Sequence, residues 1–298
     1  MTAYEFDWVD AFTTEAFGGN GCVVVHDAED ISIDDRMRLV RETSLAECAY
    51  VVPSSVADFG VRYYLADKEI PFAGHPTIAT VTSLIDRGLV AFENDQASFT
   101  LEVGTGPLPI SVAQTPSGPL ITMTQAAPEF GQTFERSEIA EIYGLAPEDI
   151  SAPPQVVSTG TPFCVTLLTD KDALRRAKMN VEKLFAWRDR TGVSRAELME
   201  PFLVTLGGIS DSGDVFSRLP LAPPSLPEDP FTGSATGCMA AFLWHHGLIN
   251  SPKFTAEQGH WLGRPGQATV EVLGPHDAIT GVLVSGHGRV LMRGSLDL

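Results

Sequence analysis

The sequence predicts an α+β fold of two similar lobes, each a curled mixed β-sheet wrapped around a central apolar helix. Three observations lead there. One stretch of 22 residues occurs twice, once in each half of the chain. Each copy ends in a helix pattern that is apolar nearly all round, and such a helix must be covered on most sides. Most of the remaining chain reads as short β-branched or apolar runs broken by Gly, Pro, Asp or Asn.

The repeat pairs EIPFAGHPTIATVTSLIDRGLV, residues 69–90, with EDPFTGSATGCMAAFLWHHGLI, residues 228–249. Without gaps, eight positions are identical: Glu69/Glu228, Pro71/Pro230, Phe72/Phe231, Gly74/Gly233, Thr77/Thr236, Leu84/Leu243, Gly88/Gly247 and Leu89/Leu248. Upstream, Arg62-Tyr-Tyr-Leu65-Ala66 resembles Arg218-Leu-Pro-Leu221-Ala222, followed by a loop three residues longer in the second copy. Two copies are too few for a solenoid and suit a duplicated lobe. Each reads as strand, turn and helix. Pro76 suits the first helical position and Gly88 the left-handed residue after the helix. In the second copy Ser234 is the expected N-cap and Gly247 the terminating glycine.

Taken in order, strands are expected at 21–26, 50–53, 61–65, 97–103, 108–112, 119–124, 163–168, 202–206, 269–272 and 282–285. Further helices are expected at 32–43, 136–143, 173–179 and 180–185. Ser32 is a plausible cap for the first, with Asp34 and Asp35 near its positive end. Segments 114–118 and 125–131 are the expected passage between lobes. The lobes are placed at 1–116 and 117–298, with a last strand near 282–298 that can return to the first lobe.

Composition narrows the function. The chain has 298 residues, 44% hydrophobic and 19% charged, ample for two cores. A net charge of −18 repels phosphate backbones and anionic bilayers, so neither nucleic acid nor a membrane is an expected partner. The start lacks a basic n-region and an apolar h-region, which argues against a signal peptide. Cys22, Cys48, Cys164 and Cys238 lie far apart, without CxxC pairing, and a cytoplasmic location with reduced thiols is expected. The seven histidines show no metal-ligand spacing, so no metal is expected.

If the two repeats face each other, two helix N-termini share one cleft, and each end attracts an anion. Gly74 and Gly233 let backbone approach a carboxylate-bearing ligand closely, or serve only tight packing. Glu47 sits in a small, apolar context, TSLAECAYV, where partial desolvation would favour a carboxyl able to take up and release a proton near neutrality; the plain alternative is a surface glutamate at a helix–strand junction.

The motifs resemble the PhzF family, relatives of diaminopimelate epimerase. The matching segments run in order along essentially the whole chain: DAFTTEAFGGNGCVVV at 10–25, ETSLAECAYV at 42–51, EIPFAGHPT at 69–77, STGTPFCVTLL at 158–168, EDPFTGSATG at 228–237 and QGHWLGRPG at 258–266. The resemblance implies the diaminopimelate epimerase-like fold, an active site between the lobes, a homodimer, and isomerisation by proton movement beside a carboxylate, without metal or organic cofactor. The family's best-known activity is isomerisation of trans-2,3-dihydro-3-hydroxyanthranilate, on the way to phenazines. The implied acid/base is Glu47, with His75 and Asp229 as catalytic partners. His75 either hydrogen-bonds substrate or Glu47, or caps its helix. Asp229 either polarises a substrate group or accepts nearby N–H groups. Ser234 binds the substrate carboxylate, caps its helix, or both. Asn20 contacts the ligand or shapes a turn. Ala73 and Thr232 stand where two-thiol racemases of this fold carry cysteines, which disfavours that chemistry. Phe231 replaces the family's usual Ala and would narrow a pocket against anthranilate-like substrates. The alternatives are an epimerase or racemase of a small acid, and a non-catalytic ligand-binding protein on the same fold.

Overall fold

The computed structural model describes residues 2–192, 198 and 200–298. The first half of the chain forms β1 Ala3–Ala11, β2 Asn20–Val25, α1 Ile33–Thr43, β3 Cys48–Val52, β4 Phe59–Tyr64, β5 Glu69–Ile70, α2 Gly74–Asp86, β6 Gln96–Val103, β7 Gly106–Thr115 and β8 Gly118–Gln125. Next come β9 Glu129–Thr133, α3 Arg136–Tyr143, β10 Gln155–Ser158, β11 Pro162–Leu167, α4 Lys171–Arg176, α5 Val181–Thr191, β12 Phe202–Leu206 and β13 Val215–Pro220. The chain finishes with β14 Glu228–Asp229, α6 Gly233–His245, β15 Lys253–Gln258, β16 Gly266–Leu273, β17 Gly281–Gly286 and β18 Gly288–Asp297.

The fold is α+β, in two compact units. The first takes the chain up to Thr124 together with Trp261–Ala268 and Val284–Leu298; the second holds Gln125–His260 and Thr269–Leu283. The boundary therefore lies at 124/125 and not at 116/117. The reason is pairing: β8 runs antiparallel to β7, with Val112 opposite Ile121, so the 114–118 segment is a hairpin turn inside the first unit. Residues 284–298 belong to the first unit because β18 pairs along nearly all of β1.

In the first unit β2 and β3 are parallel, β3 and β4 antiparallel, β4 and β5 antiparallel, and β4 and β6 parallel. The second unit repeats this pattern with β11 and β12 parallel, β12 and β13 antiparallel, β13 and β14 antiparallel, and β13 and β15 parallel. The register matches as well. Tyr63 opposes Ile70 and Tyr64 opposes Glu69, as Leu219 opposes Asp229 and Pro220 opposes Glu228. The repeat in sequence is thus a repeat in topology. Arg218 clamps Glu228 through two hydrogen bonds of 2.9 and 2.6 Å, and its remaining nitrogen donates to the carbonyls of Leu174 and Ala177 at the end of α4.

Helix α2 is buried continuously from Gly74 to Leu84 and packs on β1, β2, β3 and β18. Helix α6 is buried from Gly233 to Leu243 and packs on β10, β11 and β12. Each large apolar side chain so covered contributes about 2 kcal/mol. Helix starts differ from expectation by a few residues. Helix α2 begins at Gly74 after Ala73, so Pro76 is the third helical residue and not the first. Thr232, and not Ser234, occupies the N-cap position of α6. Asp170 and Asn180 cap α4 and α5 with their side chains, which sets both starts. Helix α5 runs on to Thr191, past the expected end at 185, and stops at Gly192 in the left-handed conformation. Strands β1, β9, β10 and β15 were not expected from apolar runs, whereas β18 lies within the last strand expected near 282–298. In β1 two acids, Asp7 and Asp10, break the pattern, yet both are buried. No helix among the described residues is long and apolar enough to cross a membrane.

Asp7 shows how a buried acid anchors α2. Its carboxylate accepts from Ser83 Oγ at 2.5 Å and from Arg87 at 2.6 and 3.0 Å, and His26 Nε2 lies 3.5 Å away. Burial alone would raise the carboxyl's pKa; the hydrogen bonds from Arg87 and Ser83 and the charges of Arg87 and His26 outweigh it and hold the group below its ordinary value. Breaking such a pair strands a buried charge, so Asp7→Asn should lower the unfolding free energy by about 3 kcal/mol in urea denaturation. Asp7's contribution is complete above the ordinary carboxylate value and is lost as pH falls through its lower folded-state value. The variant should therefore lose less stability than the wild type on acidification, and equal losses would refute this role.

Candidate active site

Sheet pairing gathers the first group of residues. Strands β2 and β3 are parallel neighbours with Val23 opposite Cys48. Asn20, the first residue of β2, and Glu47, just before β3, therefore lie at the same end of the sheet. Helix α2, packed on both strands, starts there with Gly74 and His75. Glu47 is delivered by a sharp reversal. Ser44 ends α1 in the left-handed conformation, with φ 54°, and three residues then lead into β3. Strand alternation turns Cys48 into the core on the other face.

The geometry is close. Glu47 Oε2 lies 3.9 Å from His75 Nδ1, and the two side chains are 18% and 3% exposed. Asn20 Nδ2 is 3.1 Å from the same imidazole nitrogen. The N-cap position of α2 is Ala73, with no side-chain cap hydrogen bond, and His75 is the second helical residue. Burial, and then the positive charge of Arg264, push the imidazole down to about 3, so the ring is neutral at ordinary pH.

Arg264 is a residue that sequence reasoning missed. Its guanidinium donates to Gly19 O at 2.9 Å, Gly18 O at 2.9 Å and Asp10 Oδ1 at 2.7 Å. The other oxygen of Asp10 accepts the Phe17 N–H at 2.8 Å. The loop that leads into Asn20 is thereby tied on both sides. Gly19 is required in it: its φ is +51°, and a Cβ would sit 2.0 Å from Ala11 O. The signal for Arg264 was present in the QGHWLGRPG motif, but nothing in the motif named the loop it serves.

The second unit assembles the other group at the start of α6. Asp229 ends β14 and is 5% exposed. Its Oδ2 accepts from Thr232 Oγ1 at 2.5 Å. Gln258, at the end of β15, accepts the Thr232 N–H at 3.0 Å and donates to Asp229 O at 2.8 Å and Thr232 Oγ1 at 3.2 Å. Thr232 and Gln258 thus hold Asp229 in place, a pairing the sequence did not disclose. Gly233 and Ser234 form the first turn of α6. Gln125 donates to Gly233 O at 3.0 Å and accepts from Thr159 Oγ1 at 2.6 Å. Gly237 makes room for this amide: a Cβ there would lie 1.9 Å from Gln125 Oε1. Phe231 is fully buried in the core of the unit. The first unit therefore brings together Glu47, His75, Asn20 and Gly74, and the second brings together Asp229, Gly233 and Ser234.

A neutral imidazole beside a screened carboxylate suits proton transfer to and from carbon. The family model described as phenazine biosynthesis-like protein, PhzC-PhzF, matches residues 9–294. An uncharacterized isomerase, YddE, of Salmonella typhimurium is 30% identical over 293 residues, covering 95% of this chain and 95% of that protein. The trans-2,3-dihydro-3-hydroxyanthranilate isomerase of Pseudomonas chlororaphis is 26% identical over 298 residues, covering 97% and 98%. The crystal structure of a PhzF-family phenazine biosynthesis protein from Bacillus anthracis superposes with a TM-score of 0.86 at 25% identity, covering all of both chains. With the repeat, the two α2-like helices and the matching motifs in place, the chain belongs to the PhzC-PhzF family of phenazine biosynthesis-like proteins and is an enzyme of the isomerase class.

Proposed function

We propose that the protein isomerises a small carboxylate-bearing substrate by moving a proton, in the manner of trans-2,3-dihydro-3-hydroxyanthranilate isomerase, with Glu47 as acid and base. One observation carries this reading: a glutamate carboxylate, largely screened from water, stands 3.9 Å from a buried imidazole. In the proposed step Glu47 takes a proton from a carbon acidified by conjugation and becomes the neutral acid. It then returns that proton to another carbon of the same π-system and is a carboxylate again, so no oxidant, reductant, metal or organic cofactor is consumed. His75 and Asp229 hold the substrate's polar groups. The substrate carboxylate is assigned to Ser234 and to the backbone of Gly74 and Gly233. These roles are supported by the family motifs and by the burial of His75, Asp229 and Ser234. We further propose a cytoplasmic homodimer, supported by the cysteine pattern and the family resemblance and tested by light scattering of the purified protein.

The first test uses Glu47→Gln. A thermal-shift screen of cyclic and aromatic-like carboxylic acids finds a ligand; the variant should still bind it while turnover falls by about a hundredfold or more. Normal turnover by the variant would end the proposal. Reaction in deuterium oxide separates the remaining alternatives. An isomerase gives a double bond in a new position, the new C–H carrying the substrate's own proton or, to the extent that the Glu47 carboxyl exchanges with solvent before returning it, deuterium. An epimerase exchanges label with loss of chirality at an unchanged skeleton. A binding-only protein incorporates none.

The neutral state of His75 also sets a stability trend. Its folded-state value of about 3 lies below the ordinary 6.5, so the unfolded chain binds the extra proton between them. This contribution to stability is complete above pH 6.5 and declines as pH falls toward 3. Urea titrations of His75→Gln should show a shallower loss of stability across that window than the wild type, and identical slopes would contradict it.

A further inference from the structure

We propose that Asn20 is a positioning residue that locks His75 in the Nε2–H tautomer, so that His75 acts as a hydrogen-bond donor to the substrate and not as a second base. This rests on the proposed reading of Glu47 and His75 as the reacting pair. The sequence alone left Asn20 as a ligand contact or a turn former; the structure gives it a different task.

Asn20 Nδ2 lies 3.1 Å from His75 Nδ1, with both residues buried. An amide NH₂ only donates. The Nδ1 atom facing it must then offer a lone pair, and the single proton of a neutral imidazole resides on Nε2. That Nε2 is buried and has no hydrogen-bond partner among the described residues. A buried N–H without a partner is costly, and a bound substrate atom that accepts this proton removes the cost. Such an acceptor gains most where electron density builds up as the carbon-bound proton leaves.

The opposite tautomer has a real advocate. Glu47 Oε2 is 3.9 Å from Nδ1 and would draw a proton to that nitrogen. Asn20 opposes this, and its own placement is rigid. It pairs with Ala11 in the β1–β2 ladder, and Arg264 holds the carbonyls of Gly18 and Gly19 immediately before it. Arg264 has a second effect in the same direction, since its charge disfavours a cationic ring and thus leaves only one proton to place. Among the described residues, Arg264 and Glu47 are the charged groups that act on the ring. A tautomer held by a neighbour's hydrogen bond is a common device for catalytic imidazoles.

The test is nitrogen NMR on the free enzyme labelled with ¹⁵N-histidine, using long-range proton–nitrogen correlations and assigning His75 by its loss in His75→Gln. The expected wild-type spectrum shows a protonated Nε2 and a bare Nδ1. In Asn20→Asp a carboxylate can only accept, so Nδ1 should become protonated. In Asn20→Ala the preference should weaken to a mixture of tautomers, which keeps the test decisive if the Asp variant does not fold. A bare Nε2 in the wild type, or an unchanged spectrum in the folded Asn20→Ala variant, would overturn the proposal. The spectra need no substrate, so this outcome is separate from the turnover of Glu47→Gln. A failed tautomer assignment would leave the role of Glu47 standing, and the reverse holds too.

Discussion

An α-helix without a polar face has to be enclosed. That constraint governs both units of this protein. The residues of α2 from Gly74 to Leu84 and of α6 from Gly233 to Leu243 are buried without interruption. One neighbouring element covers only one stripe of a helix, so several strands have to curve around each. Enclosure also decides where chemistry can stand. Along the body of each helix threonine hydroxyls are used up internally, as Thr77 and Thr236 each donate to the carbonyl four residues back. At the N-terminus the backbone N–H groups have no helical partner, and polar side chains from neighbouring strands can collect there.

Duplication kept the scaffold and let the chemistry diverge. Both copies share strand register, the glutamate that opens the motif and the glycine at the helix start. They differ at the positions that carry function. Ile70 in one copy is Asp229 in the other, and His75 is matched by Ser234. Ala73 brings no polar group, whereas Thr232 uses its hydroxyl to hold Asp229. One unit thus presents an acid beside a neutral imidazole, and the other an acid bonded to a threonine hydroxyl.

Behind these groups stand residues from distant parts of the chain. Arg264 reaches back to Gly18, Gly19 and Asp10, and Gln258 spans Asp229 and Thr232. The charge of Arg264 and the burial of His75 together set the protonation of the ring, which neither segment's composition reveals. Gly19 and Gly237 are equally silent in isolation, because each is required by a carbonyl or amide that only folding brings within contact distance.

The sequence by itself determined the two-unit α+β plan, the two buried helices, most of the strands and the family. These follow from apolar periodicity, glycine and proline punctuation and the internal repeat, all of which act over short distances along the chain. Glu47 was readable only through its resemblance to a known motif, since a lone glutamate between small apolar residues has no intrinsic signature. Tertiary structure decided the rest. It set the boundary at 124/125 through the pairing of β7 with β8, and made Thr232 rather than Ser234 the N-cap of α6. It also buried Asp7 and Asp10 in a strand whose pattern they disrupt. For Thr232 and the two acids the physical reason is common: a polar group can be buried only where a partner completes its hydrogen bonds, and those partners, Arg87, Arg264 and Gln258, lie scores or hundreds of residues away or on another strand.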